Sequence, residues 1–103
     1  MKKGTKYDEG KPRFDLLPFR EVEQIVLVLT HGSRKYADNN WQHVVPRTRY
    51  LRAAIGHIWK RVLGEKLDIG EGGSGLPHLA HAICCLLFLL WADNEGKDWS
   101  AKK

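Results

Sequence analysis

Between Gly64 and His81 the chain reads Gly-Glu-Lys-Leu-Asp-Ile-Gly-Glu-Gly-Gly-Ser-Gly-Leu-Pro-His-Leu-Ala-His, which gathers three carboxylates and two imidazoles into one short stretch. Glu65, Asp68 and Glu71 recur every third residue, so a helical turn or a glycine turn could aim them at a common centre. Carboxylates brought together repel unless a cation sits among them, and hard oxygen donors suit Mg²⁺ or Mn²⁺. Pro77 favours the first turn of a new helix, because its ring presets φ and its missing N–H is not needed there. His78 and His81 follow at i, i+3 spacing, side by side at the positive end of that helix, where the field disfavours imidazolium and leaves a neutral ligand, base or phosphate contact. Taken singly, each of these residues could be a solvated loop charge or a packed histidine. Their density is what points to a site.

Other segments offer binding chemistry. His31 to Trp41 is polar and combines a basic pair with two aromatic rings. Lys35 could neutralise phosphate, Tyr36 or Trp41 could present a flat face to a base, and Asn39 or Asn40 could read hydrogen-bonding edges. A tryptophan after a polar turn is more often an anchor that pins the loop to the core, and Trp41 has that reading as well. In the N-terminal stretch Lys11 and Arg13 alternate with aromatic residues and are candidates for phosphate contact. His57 lies about two helical turns before Glu65 and could turn back toward the acids.

The elements that must hold these residues read as helices. Val22, Ile25, Val26 and Leu29 predict a first helix from Pro18 to His31, with Gly32 as its stop. Arg47 to Leu63 is a second helix, with a core stripe of Leu51, Ala54, Ile55, Ile58 and Val62 and a smaller, polarised stripe of Tyr50, Ala53 and His57. Pro77 to Trp91 is the third and most apolar, hydrophobic nearly all round from Ala82, and is expected to be central to the fold or to an oligomer interface. His43 to Pro46 is the one β-like candidate. The expected architecture is all-α: a small three- to four-helix bundle with an extended basic N-terminal arm, and oligomeric. Its parts are a single domain over 1–103, comprising the arm at 1–17, the helical core at 18–92 and a polar tail at 93–103 that frays or makes one interface contact. Tyr7, Phe14, Leu16 and Leu17 are expected to pack the arm on its own domain or on a neighbouring subunit.

A length of 103 residues allows one core but leaves much surface, which small domains often resolve by self-association. The net charge of +5 favours anionic partners. Nucleic acid ranks below nucleotides among them, because the lysines and arginines are spread over arm, loop and second helix rather than gathered on one basic helix. Cys84 and Cys85, adjacent within an apolar run, cannot readily bridge and read as core thiols. Eleven apolar residues from Ala82 to Ala92 are too few to span a bilayer, and Met-Lys-Lys opens no signal peptide, so a cytoplasmic protein without membrane contact is expected. There is no Walker loop, dinucleotide fingerprint, His-Asp dipeptide, Cys-x-x-Cys pair or nucleophile elbow.

Lys6-Tyr-Asp-x-Gly-Lys-Pro-Arg-x-Asp-Leu-Leu-Pro18, then Gly32-x-x-Lys-Tyr36 with Asn40-Trp41, His57, Gly64-Glu65-x-x-Asp68 and Gly75-Leu-Pro-His-Leu-Ala-His81 resemble, in order, a small and mostly phage-encoded family of dATP/dGTP diphosphohydrolases (N-terminal type), with kinship to the all-α MazG-like nucleotide pyrophosphohydrolases. The resemblance implies Mg²⁺-dependent hydrolysis of purine deoxynucleoside triphosphates to monophosphate and pyrophosphate, in the host cytoplasm if the chain is phage-encoded. Glu65-x-x-Asp68 matches the second acidic element of MazG-like enzymes. The first, Glu-x-x-Glu, is missing, since Glu21 and Glu23 are two apart, and Glu71, His57 or His81 would have to stand in for it.

On this reading Glu65, Asp68 and Glu71 bind metal, with His81 or Glu71 as auxiliary ligand or water-activating base. Lys11, Arg13, Lys35, Tyr36, Trp41, His57 and His78 hold the substrate or orient the acids. The Gly72-Gly73-Ser74 insertion is expected to loosen the link from the acids to His78. The rival reading is a non-catalytic nucleotide sponge, which needs no second carboxylate pair.

Overall fold

The computed structural model describes residues 3–103, so Met1 and Lys2 of the expected arm lie outside the described residues. Three helices carry the fold, α1 (Phe19–Lys35), α2 (Thr48–Val62) and α3 (His78–Asn94), and no strand forms among the described residues. The all-α expectation holds.

The apolar α3 is the central element, packing against both α1 and α2. On one side Ala80 and Cys84 close a core with Val28 of α1, joined by Ile25, Leu29, Leu76 and Phe88. On the other, α3 runs antiparallel to α2: Arg47 sits over the Trp91 ring, Tyr50 meets Phe88, and His57 meets His78 and His81. Small residues make this approach possible, with Ala54, Ala82 and Ala92 nearly inaccessible. Both cysteines are buried and unbridged, and burial pushes the Cys84 thiol up to about 12 and Cys85 to about 11, as core thiols require.

Several expectations change. Gly32 does not stop α1, which runs on through Ser33 to Lys35. A helical glycine costs only about 1 kcal/mol, and the added turn keeps its backbone bond from Tyr36 N–H to the Gly32 carbonyl. His43 to Pro46 is no strand: a 3-10 turn at Asn40–His43 is followed by a single extended residue, Val44, and a bend at Val45 and Pro46 before α2. Trp41 is an anchor, stacked on Phe88 at 4.4 Å and edge-on to Trp91 at 5.0 Å. The tail is tied down as well, with the Trp99 carbonyl accepting the Thr48 N–H at the start of α2 and the Trp99 indole N–H donating to Asp93.

Two corrections concern apolar residues. Residues 3–18 are exposed throughout and form only a turn at Asp8 to Lys11 and the 3-10 turn Phe14–Leu16, so Tyr7, Phe14, Leu16 and Leu17 do not pack on their own domain. Of the stripe expected to be the core face of α2, only Ala54 is buried, while Leu51, Ile55, Ile58 and Val62 are exposed. The face that meets α3 is instead the one carrying Tyr50, Ala54 and His57.

Candidate functional site

The acidic loop is held as a closed clip rather than a loose turn. Asp68 N–H donates to the Leu76 carbonyl, Gly75 N–H to the Asp68 carbonyl and His78 N–H to the Lys66 carbonyl, each at 2.8 Å. These bonds tie residues 66–68 antiparallel to 75–78, with one bridge at Leu67 and Pro77. The tip closes through Gly73 N–H to the Gly70 carbonyl, and Gly70 adopts a φ of 105° that suits glycine. At Gly73 the constraint is space, since an added Cβ would strike the Asp68 carbonyl. Gly73→Ala should therefore lower stability by about 1–3 kcal/mol in urea unfolding.

The expected loosening by Gly72-Gly73-Ser74 is not what occurs. Ser74 Oγ accepts the Leu76 N–H and lies 2.6 Å from His81 Nε2, so the insertion ties the loop to α3.

Three histidines converge where the loop meets α2 and the first turn of α3. His57 Nδ1 and His78 Nδ1 are 2.8 Å apart, and the His57 and His81 rings stack at 4.7 Å and 14°. His78 is fully buried, and its Nε2 has no aligned hydrogen-bond partner; a carboxylate oxygen, Glu65 Oε2, is 3.4 Å away. Asp68 Oδ2 lies 3.6 Å from His81 Nε2. Burial holds both His57 and His81 below the usual imidazole value, and the Asp68 charge opposes this only in part.

An imidazole that resists protonation when folded contributes its full stability above its unfolded value of about 6.5, and that stability is lost as pH falls below it, because the unfolded chain then binds more protons. The thermal unfolding midpoint should fall between pH 7.5 and 5.5, and His57→Phe should flatten that dependence.

The carboxylates do not assemble as expected. Glu65 faces His78, Asp68 faces His81, and Glu71 is exposed near the tip. The clip separates them, and among the described residues no three His, Cys, Asp or Glu form a group able to hold a metal ion by themselves.

Beside the histidines opens a cleft of about 820 Å³ between α1, α2 and the 36–44 loop, floored by α3. His57, His81 and Asp68 line one end, and Lys35, Tyr36, Asn39 and Asn40 line the wall formed by the loop and the end of α1. Tyr36 is exposed, with the Lys35 ammonium 5.3 Å from its ring centre. Trp41 also lines the cleft, but one face of its ring is committed to Phe88.

Lys11 and Arg13 are not brought here. Arg13 pairs with Asp15 at 2.6 Å, and both basic residues border a separate small hollow with Asp8. Conversely, His31 and Arg49 line the cleft without having been singled out as ligand-binding residues from sequence, whereas Tyr50 and Ala53 line it from the polarised stripe of α2. Arg49 could have been found, since it precedes Tyr50 and lies one helical turn before Ala53 on the polarised side of α2.

Among the described residues no helix is long and apolar enough to cross a membrane. No solved structure matches the chain. A relative from Salmonella phage PMBT28, named dATP/dGTP diphosphohydrolase, is 34% identical over 103 residues, covering 95% of this chain and 34% of the relative. The chain thus spans about a third of that protein's length. The family model described as dATP/dGTP diphosphohydrolase, N-terminal, matches residues 1–102, and the chain belongs to that family.

Proposed function

We propose that the cleft binds a purine deoxynucleoside triphosphate and that the histidine cluster at its end hydrolyses it to the monophosphate and pyrophosphate. The observation that carries this reading is the line Glu65–His78–His57, which ends at the cleft. A carboxylate only accepts, so Glu65 favours the proton of buried His78 on Nε2. His78 Nδ1 is then bare, His57 Nδ1 must carry the shared proton, and His57 Nε2 is left with a lone pair. Burial keeps that imidazole neutral near pH 7, as a general base requires.

His57 Nε2 takes a proton from water as the water oxygen bonds to the α-phosphorus. The bond from the α-phosphorus to the bridging oxygen breaks, and pyrophosphate leaves. His78 and Glu65 stabilise the imidazolium so formed. Lys35 and Arg49 offset phosphate charge, Tyr36 stacks on the base, and Asn39 and Asn40 meet its edges. His81, its Nε2 occupied by Ser74, orients the phosphates rather than activating water.

Mg²⁺ accompanying the nucleotide would offset the charge of its phosphates. Mg²⁺ is commonly held by substrate phosphates with one or two carboxylates rather than by an all-protein cage, so Asp68 at the cleft is the residue that would meet it, with Glu65 held back on His78.

A second reading, sequestration without turnover, is favoured by the lack of a three-ligand group among the described residues. Incubation with each of the four dNTPs and Mg²⁺, followed by pyrophosphate measurement, separates the two. Release from dATP and dGTP supports hydrolysis. Nucleotide bound and recovered intact supports sequestration, and neither binding nor product overturns both.

A further inference from the structure

The α2–α3 hairpin has two broad faces, and this chain covers one of them. That face carries α1 and the cleft. On the other, α3 exposes Leu79, Ile83, Leu86 and Leu90, and α2 exposes Leu51, Ile55, Ile58 and Val62. Both stripes step by 4, 3 and 4 residues, the spacing of a coiled-coil seam.

The two stripes lie on the same side. Those of α3 each follow a buried residue, His78, Ala82, Cys85 or Leu89, and those of α2 each follow a residue turned inward, such as Tyr50, Ala54 or His57. One residue onward is a turn of about 100°, and in antiparallel helices that turn carries both stripes to the same face of the pair. The exposure is substantial, at 58% for Ile55, 68% for Val62, 49% for Leu79 and 55% for Leu90. No charged Asp, Glu, Lys or Arg interrupts α3 before Asp93, so this helix has no polar outer face of the kind that a solvated helix presents.

We propose that this face docks on the same face of a second copy of the chain, giving a two-fold, four-helix dimer with the clefts turned outward. A two-fold interface requires one surface to complement itself, and two apolar helices with matching seams do so. Half-exposed aliphatic side chains over both helices amount to roughly 700 Å² per copy, close to the ~800 Å² per partner of a standard stable interface. The N-terminal residues of the same chain are a poor substitute, since they offer a single 3-10 turn against two helices of four turns or more. The proposal is independent of catalysis, and pyrophosphate assays do not bear on it.

Light scattering on the intact chain at micromolar concentration should give about twice 11.8 kDa. Ile83→Glu should return the mass to the monomer's while helical circular dichroism is retained. Ile83→Ala with Leu86→Ala adds no charge and trims side chains that are exposed in the single chain, so it keeps the test open if the glutamate variant fails to fold. It should raise the dimer dissociation constant at least about tenfold. A wild-type chain that stays at monomer mass, or an oligomer that ignores both variants, overturns the proposal.

Discussion

His57→Gln is expected to lower kcat for pyrophosphate release from dATP or dGTP by about 10²–10⁴-fold, the range typical of a lost general base. Glutamine approximates the side-chain volume and places its amide near the position of Nε2, but it offers no basic nitrogen to the cleft. KM should change far less, because Lys35, Arg49 and Tyr36 remain in place. Glu65→Gln should give a smaller loss, since it weakens the preference for the His78 tautomer and the stabilisation of imidazolium without removing the base. Steady-state kinetics on the two variants checks this, with nucleotide binding measured separately. A His57→Gln chain that turns over at the wild-type rate would sink the relay while leaving the hydrolase reading in place.

The second large effect concerns Phe88. Its ring stacks on Trp41, meets Tyr50 edge-on at 5.0 Å, packs against the Val28–Ala80–Cys84 core and lines the cleft. Phe88→Ala should cost about 3–5 kcal/mol. That is a large share of the 5–15 kcal/mol available to an ordinary domain. The 36–44 loop should loosen with it, because Trp41 loses the surface it stacks on, so nucleotide affinity should fall even where the chain remains folded. Phe88→Leu fills more of the space and should cost less than alanine. Urea unfolding of the three proteins, with tryptophan fluorescence as the probe, gives the order directly.

The helices were legible in the sequence because apolar spacing reports that a face will be buried. It does not report against what. In α2 the larger apolar residues suggested the core face, yet of that stripe only Ala54 lets α3 approach closely, and the side chains that meet α3 beside it are the polar-tipped Tyr50 and His57. Gly32 misled for a related reason: a glycine at a polar boundary resembles a stop, and only the surrounding backbone bonds determine whether the helix continues. The density of acids and imidazoles between Gly64 and His81 correctly marked a cluster, and His57 was rightly brought toward it. The 2.8 Å approach of His57 to His78 spans 21 positions and follows from the antiparallel packing of α2 on α3, which residue spacing does not encode. The same holds for the carboxylates, whose regular spacing suggested convergence while the clip turned them to different partners. Lys11 and Arg13 carried the right charge for phosphate, but their positions lay beyond what charge alone can specify.

The backbone clip at 66–78 bears on how the protein could be labelled. Its stem is bonded from Lys66 to His78, whereas Glu71 at the bend is exposed and has no side-chain bond to the stem. Closing a longer flexible loop costs little, about 0.6 kcal/mol for each doubling. A short peptide tag or reporter spliced beside Glu71 would open the Gly70–Gly73 turn at the tip but leave the stem bonds from Lys66 to His78 in place, and would put a spectroscopic handle within reach of the cleft.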